Sequence, residues 1–397
     1  MSNVECNTIE VGKRCVQVRA LMLVLLGMTA LVSCERYDDP TVKKKVTPSP
    51  LCAADMIDGR ADYLEAIEVS LERIIVGQLG DGQLSLNDHG HVLLALGTNI
   101  RLPAIYQANE HEPTTYIEWL LGRASRDGSF GRPSWLIRTP DGWAIQRLAR
   151  ADAWSDGEAH LGQLLCYLTD ANLIDRHQAI IVPDGSVIDI QSVADGYVNR
   201  LAPQDSLEYL IPVLIRLSSK SVWTSRFGER IELNALVRQL LDTNPASAAC
   251  FGGHWYLALH VLADDSSADR VQSTLRNEAR DRLRVDGGRL LDCIPQSGAI
   301  DMRQWGSQRP AGRFLDPQFT FQVHSLIWLL ASADDQRIND PRVELALRWA
   351  CDYYMAHAGN IPLLDICHLR QLLRCYRSRI QEAQHMKPSD SHRVPMS

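Results

Sequence analysis

Apolar residues recur every three or four positions along most of the chain from residue 62 onward, which is the spacing of one helix face. This pattern predicts a series of amphipathic helices: Tyr63–Leu79, His91–Leu96, Tyr116–Ala124, Glu158–Leu168, Leu207–Leu217, Ile231–Leu241, Trp255–Leu262, Ala268–Leu283, Gln322–Ala333, Arg342–His357 and Leu364–Ala383. Residues 179–188 instead read as two short strands around Pro183-Asp184-Gly185, as in a β-hairpin. The chain is therefore predicted to be all-α, with a small β-hairpin insertion near 179–188.

Several of these helices begin with the same pattern. His160, His254 and His324 are each followed by a Leu five residues later and by an Asp ten residues later, and His91 and His368 begin weaker copies without the Asp. Turn-forming residues recur before such helices, for example Gly252-Gly253 and Asp286-Gly287-Gly288. An outer helix, a glycine turn and an inner helix headed by His together indicate a helical repeat.

The spacing of the repeat favours a closed ring over an open superhelix. Five to seven hairpins in residues 60–385 would average about 47–65 residues each, longer than solenoid repeats of about 34–47 residues. With the turn Asp127-Gly128-Ser129-Phe130-Gly131, the chain resembles the α/α-toroid families: prenyltransferases and terpene cyclases, lanthionine cyclases, and six-hairpin glycosidases. The resemblance implies an α/α toroid of about five to seven hairpins over residues 61–386.

The first residues carry a separate signal. The apolar run Ala20–Val32 follows Lys13, Arg14 and Arg19, and its length of about 13 residues is typical of a signal peptide and short of the roughly 20 that span a bilayer. The end of the run, Leu31-Val32-Ser33-Cys34, resembles a bacterial lipobox. That resemblance implies cleavage before Cys34, acylation of its thiol and a stable membrane anchor made of several acyl chains.

These signals divide the chain into four segments: a signal peptide (1–33), the lipidated Cys34 with a flexible tether (34–60), the toroid (61–386) and a disordered tail (387–397). Glu35 stands where lipoproteins of the inner membrane tend to have Asp, so the resemblance implies attachment to the outer membrane, facing the periplasm.

Composition narrows the range of partners. Of the 397 residues, 45% are hydrophobic and 22% charged, values that exclude global disorder. The formal net charge of −7 argues against nucleic acid, whose phosphates need concentrated Lys and Arg. The expected partners are the membrane, through the lipid anchor, and a glycan or an envelope protein.

One candidate site uses carboxylates and aromatic rings. Glycoside hydrolysis needs two carboxylates beside the sugar, and Asp156, Glu158 and His160 form the best acid/base group at a helix start. The predicted substrate-binding residues are Trp154, His254, Trp255, Trp305 and His324.

A second candidate site uses thiols and imidazoles. Cys367-His368 resembles the Cys-His pair that holds zinc in lanthionine cyclases, although Leu369 replaces the expected Gly, and Cys250 could supply a further thiolate. No other cofactor is predicted.

Three interpretations stay open, and the sequence does not decide whether the protein is an enzyme. The first is a lipid-anchored toroid that binds or cleaves an envelope glycan. The second is a non-catalytic structural or interaction lipoprotein. The third is a zinc-dependent toroid enzyme that uses Cys250, Cys367 and His368.

Overall fold

The computed structural model describes residues 60–80, 84–97, 116–120, 136–139, 142–145, 158–182, 184–203, 205–264, 267, 269–306 and 316–385. The predicted signal peptide, Cys34, the tether before residue 60, the 127–131 turn, Trp154, Asp156 and the C-terminal tail lie outside these residues. The described part is 69% helical, and its β-structure consists of small antiparallel pairs. Within it, no helix is both long and apolar enough to cross a bilayer.

The helices are α1 (Arg60–Gly80), α2 (Leu86–Leu96), α3 (Tyr116–Leu120), α4 (Gln163–Asp170), α5 (Ile190–Asn199), α6 (Leu207–Leu217), α7 (Leu233–Asp242), α8 (Gly253–Ala263), α9 (Ser273–Asp292), α10 (Met302–Trp305), α11 (Pro317–Ser332), α12 (Asp335–Ile338), α13 (Pro341–His357) and α14 (Leu363–His385). The strands are β1 (Leu136–Thr139), β2 (Gly142–Ile145), β3 (Ala179–Ile181), β4 (Val187–Asp189), β5 (Val222–Thr224) and β6 (Arg230–Glu232).

Six inner helices form a closed ring. They contact one another in the order α2, α4, α6, α8, α11 and α14, and α14 returns to contact α2. Outer helices pack against this ring: α1 on α14, α5 and α7 on α6, α9 on α8, and α13 on α11. The predicted all-α fold is confirmed, and the described residues form an α/α toroid with six inner helices.

Burial explains which helices lie inside. In α6 every residue except Arg216 is buried, as expected of a helix that is covered on all sides. In the outer helix α13, the buried residues Val343, Ala346, Leu347, Ala350, Cys351 and Tyr354 follow the spacing of one face. The outer helix α13 is thus amphipathic, and the inner helix α6 is apolar along most of its length.

Contacts between helix ends show that the inner helices run in the same direction. Arg216, in the last turn of α6, pairs with Asp170 at the end of α4. The Arg379 guanidinium donates to the carbonyl oxygen of Ala333, just after α11, at 2.7 Å. Because carboxyl ends meet carboxyl ends, the amino ends of the inner helices gather at the other end of the ring.

The described residues also contain three β-hairpins. The predicted hairpin is present, with β3 paired to β4 from Ala179↔Asp189 to Ile181↔Val187. The pairs β1–β2 and β5–β6 were not predicted, because strands of three or four residues are too short for alternation to be recognised. All three hairpins contact α5.

One predicted turn is wrong. Asp286-Gly287-Gly288 lies inside α9, which continues to Asp292. A Cβ on Gly287 would lie 3.0 Å from Nη1 of Arg337 and 3.5 Å from Cδ1 of Leu329 in α11. The glycine therefore permits close helix packing and does not end the helix.

Candidate functional site

Each of the six inner helices places one imidazole or phenol side chain at the centre of the toroid. These residues, here called the axial cluster, are His91 (α2), Tyr167 (α4), Tyr209 (α6), His254 (α8), His324 (α11) and His368 (α14). Taken in that order, the ring centroids lie 4.6, 5.9, 4.6, 5.4 and 4.0 Å apart, and His368 returns to His91 at 4.7 Å. The cluster therefore closes on itself as the helices do.

Four of the five repeated histidines belong to this cluster. The fifth, His160, precedes α4 and stacks on Tyr209 at 5.1 Å, outside the cluster. Tyr167, seven residues after His160 and so about two turns farther on, takes the axial place in α4. The sequence analysis missed Tyr167 and Tyr209, and the only signal for Tyr209 was the lack of a His near the start of that helix.

Two histidines of the axial cluster and the nearby Cys250 form a group that could hold a metal ion. One ligand atom from each of Cys250, His254 and His324 lies within 4.8 Å of the others. Ligand atoms on a tetrahedral zinc ion lie about 3.3–3.6 Å apart, so side-chain movements of about 1 Å would complete the geometry. Nε2 of His254 and Nε2 of His324 are buried, and neither has a hydrogen-bond partner among the described residues. Such orphaned nitrogens fit a bound metal.

Contacts around His324 prepare its Nε2 as a ligand. Its Nδ1 lies 2.8 Å from the carbonyl oxygen of Thr320, an acceptor, so Nδ1 carries the proton and Nε2 the lone pair. The Thr320 hydroxyl in turn donates to Asp365 at 3.1 Å. Burial raises the pKa of Asp365 to about 7. This chain of contacts is the outer support typical of a metal-binding imidazole.

The loop before α8 presents Cys250 through a strained backbone. Cys250, Phe251 and Gly252 have φ values of 51°, 58° and 85°, three successive left-handed residues of which two are not glycine. Each such non-glycine residue costs about 1–2 kcal/mol. The loop is held where the amide of Ala249 donates to Glu208 Oε1 at 3.1 Å. Strain of this kind clusters at functional sites.

Glycine at two positions allows the loop before α8 to pack closely against Pro245 and His324. A Cβ on Gly252 would lie 2.6 Å from the carbonyl oxygen of Pro245, and a Cβ on Gly253 would lie 2.8 Å from Cβ of His324. Gly253 therefore sets how closely the start of α8 approaches α11, and Gly252 sets how closely the loop approaches Pro245.

Burial keeps the axial imidazoles neutral. It lowers the pKa of His91 and of His324 to about 4. Burial also lowers the pKa of His254 and of His368 well below the ordinary value, and the neighbouring imidazoles add to that effect. Neutral imidazole is the form that binds metals.

No family model, curated protein or solved structure matches this chain. Function is therefore argued from the chemistry of the site itself.

Glu158, a member of the predicted acid/base group, is buried and hydrogen-bonded. The Glu158 carboxylate accepts from the amides of Gly162 at 3.2 Å and Leu164 at 2.8 Å, and from the Tyr197 hydroxyl at 2.9 Å. Burial raises its pKa to about 7. Glu158 therefore satisfies backbone donors at the start of α4, and the catalytic role of Asp156, Glu158 and His160 stays a prediction.

Two of the predicted substrate-binding tryptophans are also buried. Trp255 is buried, and its indole N–H donates to the carbonyl oxygen of Leu240 at 2.8 Å. Trp305 is buried against Tyr256 and Trp328. Both rings pack in the core, and a role of Trp255 and Trp305 in binding a substrate stays a prediction.

Of the zinc set predicted from sequence, Cys367 lies apart from Cys250 and His368. Cys367 and His368 are consecutive in α14, and consecutive helix residues point about 100° apart. His368 faces the axis, whereas Cys367 is buried near the charged groups of Asp88, Asp365 and Arg370. In the described part of the chain, Cys250 groups with His254 and His324 instead.

Proposed function

We propose that the toroid binds one zinc ion at Cys250, His254 and His324, and that this metal centre is its functional site. The observation that carries the proposal is the convergence of three ligand atoms within 4.8 Å, two of them buried imidazole nitrogens with no partner in the described residues.

The donor set favours zinc over hard cations. Thiolate and imidazole are ligands of zinc and copper, whereas magnesium and calcium prefer carboxylate and carbonyl oxygens. The neutral imidazoles and the strained loop that carries Cys250 both favour a site built for a metal.

The contacts at the ring axis favour a metal-stabilised scaffold over a glycan-cleaving enzyme. The cavity lined by Leu86, Asn87, Glu158, Gln163, Leu164 and Tyr167 has no room for a water molecule. The axial rings contact one another, which supports the second candidate function, a non-catalytic structural or interaction protein.

We also propose that the toroid is carried on a lipid anchor at Cys34, as an outer-membrane lipoprotein that faces the periplasm. The lipobox-like Leu31-Val32-Ser33-Cys34 supports this proposal. Metabolic labelling with an alkyne fatty acid should label the natural chain and leave Cys34→Ala unlabelled. Equal labelling of both proteins would contradict the anchor.

Metal analysis of the purified full chain tests the metal centre. About one zinc per chain is expected, and Cys250→Ala should lose most of it. Cys375→Ala is the matched control, because Cys375 is likewise partly exposed but lies outside the ligand group. Trace zinc in the natural chain, or unchanged zinc in Cys250→Ala, would contradict the proposal.

A further inference from the structure

The four imidazoles of the axial cluster differ in what their nitrogen atoms contact. Nδ1 of His91 lies 2.7 Å from the carbonyl oxygen of Asn87, and its Nε2 lies 3.1 Å from the Tyr167 hydroxyl. His254 and His324 each leave Nε2 without a partner among the described residues. His368 leaves both ring nitrogens without one.

A buried imidazole with two unpartnered nitrogens is unusual, because a buried polar atom loses its bonds to water and gains nothing in return. His368 is 4% exposed, so solvent does not supply the missing bonds. The centroid of its ring lies 4.0 Å from that of His324 and 6.3 Å from that of His254. Its unpartnered nitrogens therefore belong to the same neighbourhood as the ligand group.

We infer that His368 is the fourth ligand of the metal ion, which closes the site as a Cys-His-His-His centre. The inference rests on the proposed function and extends it, because three protein ligands are typical of an open catalytic zinc site and four of a closed structural one.

The distances between the three rings support this geometry. With a zinc–nitrogen bond of about 2.05 Å, imidazole centroids lie about 3.2 Å from the ion, and three of them on a tetrahedral ion lie about 5.2 Å apart. The observed centroid separations are 5.4, 4.0 and 6.3 Å, so side-chain movements of about 1 Å would bring all three to that value.

A closed centre defines what the ion does in the fold. It joins the Cys250 loop and α8 to α11 and α14, three consecutive inner helices. Because α14 also contacts α2, the ion holds the helix that completes the ring. The metal is then a structural cross-link at the ring closure, with no coordination position left for a substrate.

Titration of the metal-free full chain with Co²⁺ tests the inference. The natural chain should give the intense visible bands of four-coordinate cobalt and a near-ultraviolet charge-transfer band from the Cys250 thiolate. His368→Phe keeps a ring in place and removes both nitrogens. It should weaken Co²⁺ binding by more than the roughly 10–100-fold that loss of an outer partner costs.

His91→Phe is the matched control, because it removes a buried imidazole of the same cluster whose nitrogens are already engaged. It should keep the visible bands and affinity of the natural chain. An unchanged affinity and spectrum in His368→Phe would overturn the role of His368 while leaving the three-ligand proposal intact. Absence of Co²⁺ binding by the natural chain would overturn both.

A measurement on the natural chain covers the case in which His368→Phe does not fold. Azide added to the Co²⁺ protein should leave the spectrum unchanged if four protein ligands close the site. A shift of the visible bands on addition of azide would reveal an open position and overturn the inference.

Discussion

Glu158 should make the protein less stable as the pH rises from about 4.5 to about 7. Burial raises the pKa of its carboxyl from 4.5 to about 7. Between these values the folded chain keeps the proton that the unfolded chain releases. The contribution of Glu158 to stability is therefore fully present below about pH 4.5 and is lost as the pH rises to about 7.

The magnitude follows from the two pKa values. At about 1.36 kcal/mol per pH unit, their difference corresponds to about 3 kcal/mol. The side chain is 2% exposed, so solvent screens little of this effect. Hydrogen bonds from Gly162, Leu164 and Tyr197 act in the opposite direction, because they stabilise the carboxylate.

Urea unfolding of the natural chain and of Glu158→Gln at several pH values measures the effect. The amide of Gln must face one of the two backbone N–H groups, which destabilises the variant by an amount that does not depend on pH. The unfolding free energy of the natural chain minus that of the variant should fall by about 3 kcal/mol between pH 4.5 and 8. Glu232→Gln, at an exposed carboxyl, controls for the change in net charge.

A difference that grows with rising pH would refute this reasoning. It would mean that the donated hydrogen bonds outweigh burial and that Glu158 acts as a charged helix cap.

Three further outcomes are expected. Tyr197→Phe removes a donor to the Glu158 carboxylate, so the stability loss with rising pH should extend by about one pH unit, as urea unfolding would show. Gly253→Ala brings a Cβ to 2.8 Å from Cβ of His324 and should cost about 1–3 kcal/mol, whereas Gly288→Ala, in α9 with open space around it, should gain up to about 1 kcal/mol. Equal shifts of the urea midpoint in the two glycine variants would contradict the close approach of α8 to α11. Removal of zinc by a chelator should lower the melting temperature. If free zinc stood at 1,000 times its Kd, the lost stabilisation is about 4 kcal/mol. An unchanged melting temperature would contradict a structural ion.

The helices could be predicted because their pattern is local. The predicted Leu207–Leu217 has the bounds of α6, since Ser206 and Ser218 flank a run in which only Glu208 and Arg216 are charged. Repetition of His at helix starts led to four of the six axial residues. It missed Tyr167 and Tyr209, because the centre of the toroid requires a buried aromatic or imidazole side chain but not a particular residue type.

The metal group could not be predicted because it depends on backbone geometry and on distant contacts. The left-handed backbone of Cys250 and Phe251 is unfavourable for both residues, so local sequence preferences do not predict it. The adjacent Cys367 and His368 were attractive as a motif, but a helix turns neighbouring residues in different directions. Gly253 lies at the start of α8, as the predicted turn indicated, whereas Gly287 lies inside α9. At both positions the glycine permits close packing between helices, and that role has the same signal in the sequence as a turn.

The closure of the ring also has a kinetic consequence. Arg370 of α14 donates to the carbonyl oxygen of Ala95 in α2, a contact between residues 275 positions apart. Long-range contacts of this kind slow folding, because the entropy of closing so large a loop is lost before the contact forms. Until α14 has been synthesised and docked, the apolar sides of α2 and α11 stay without their neighbour. The unfinished chain thus exposes apolar surface of the kind that chaperones bind.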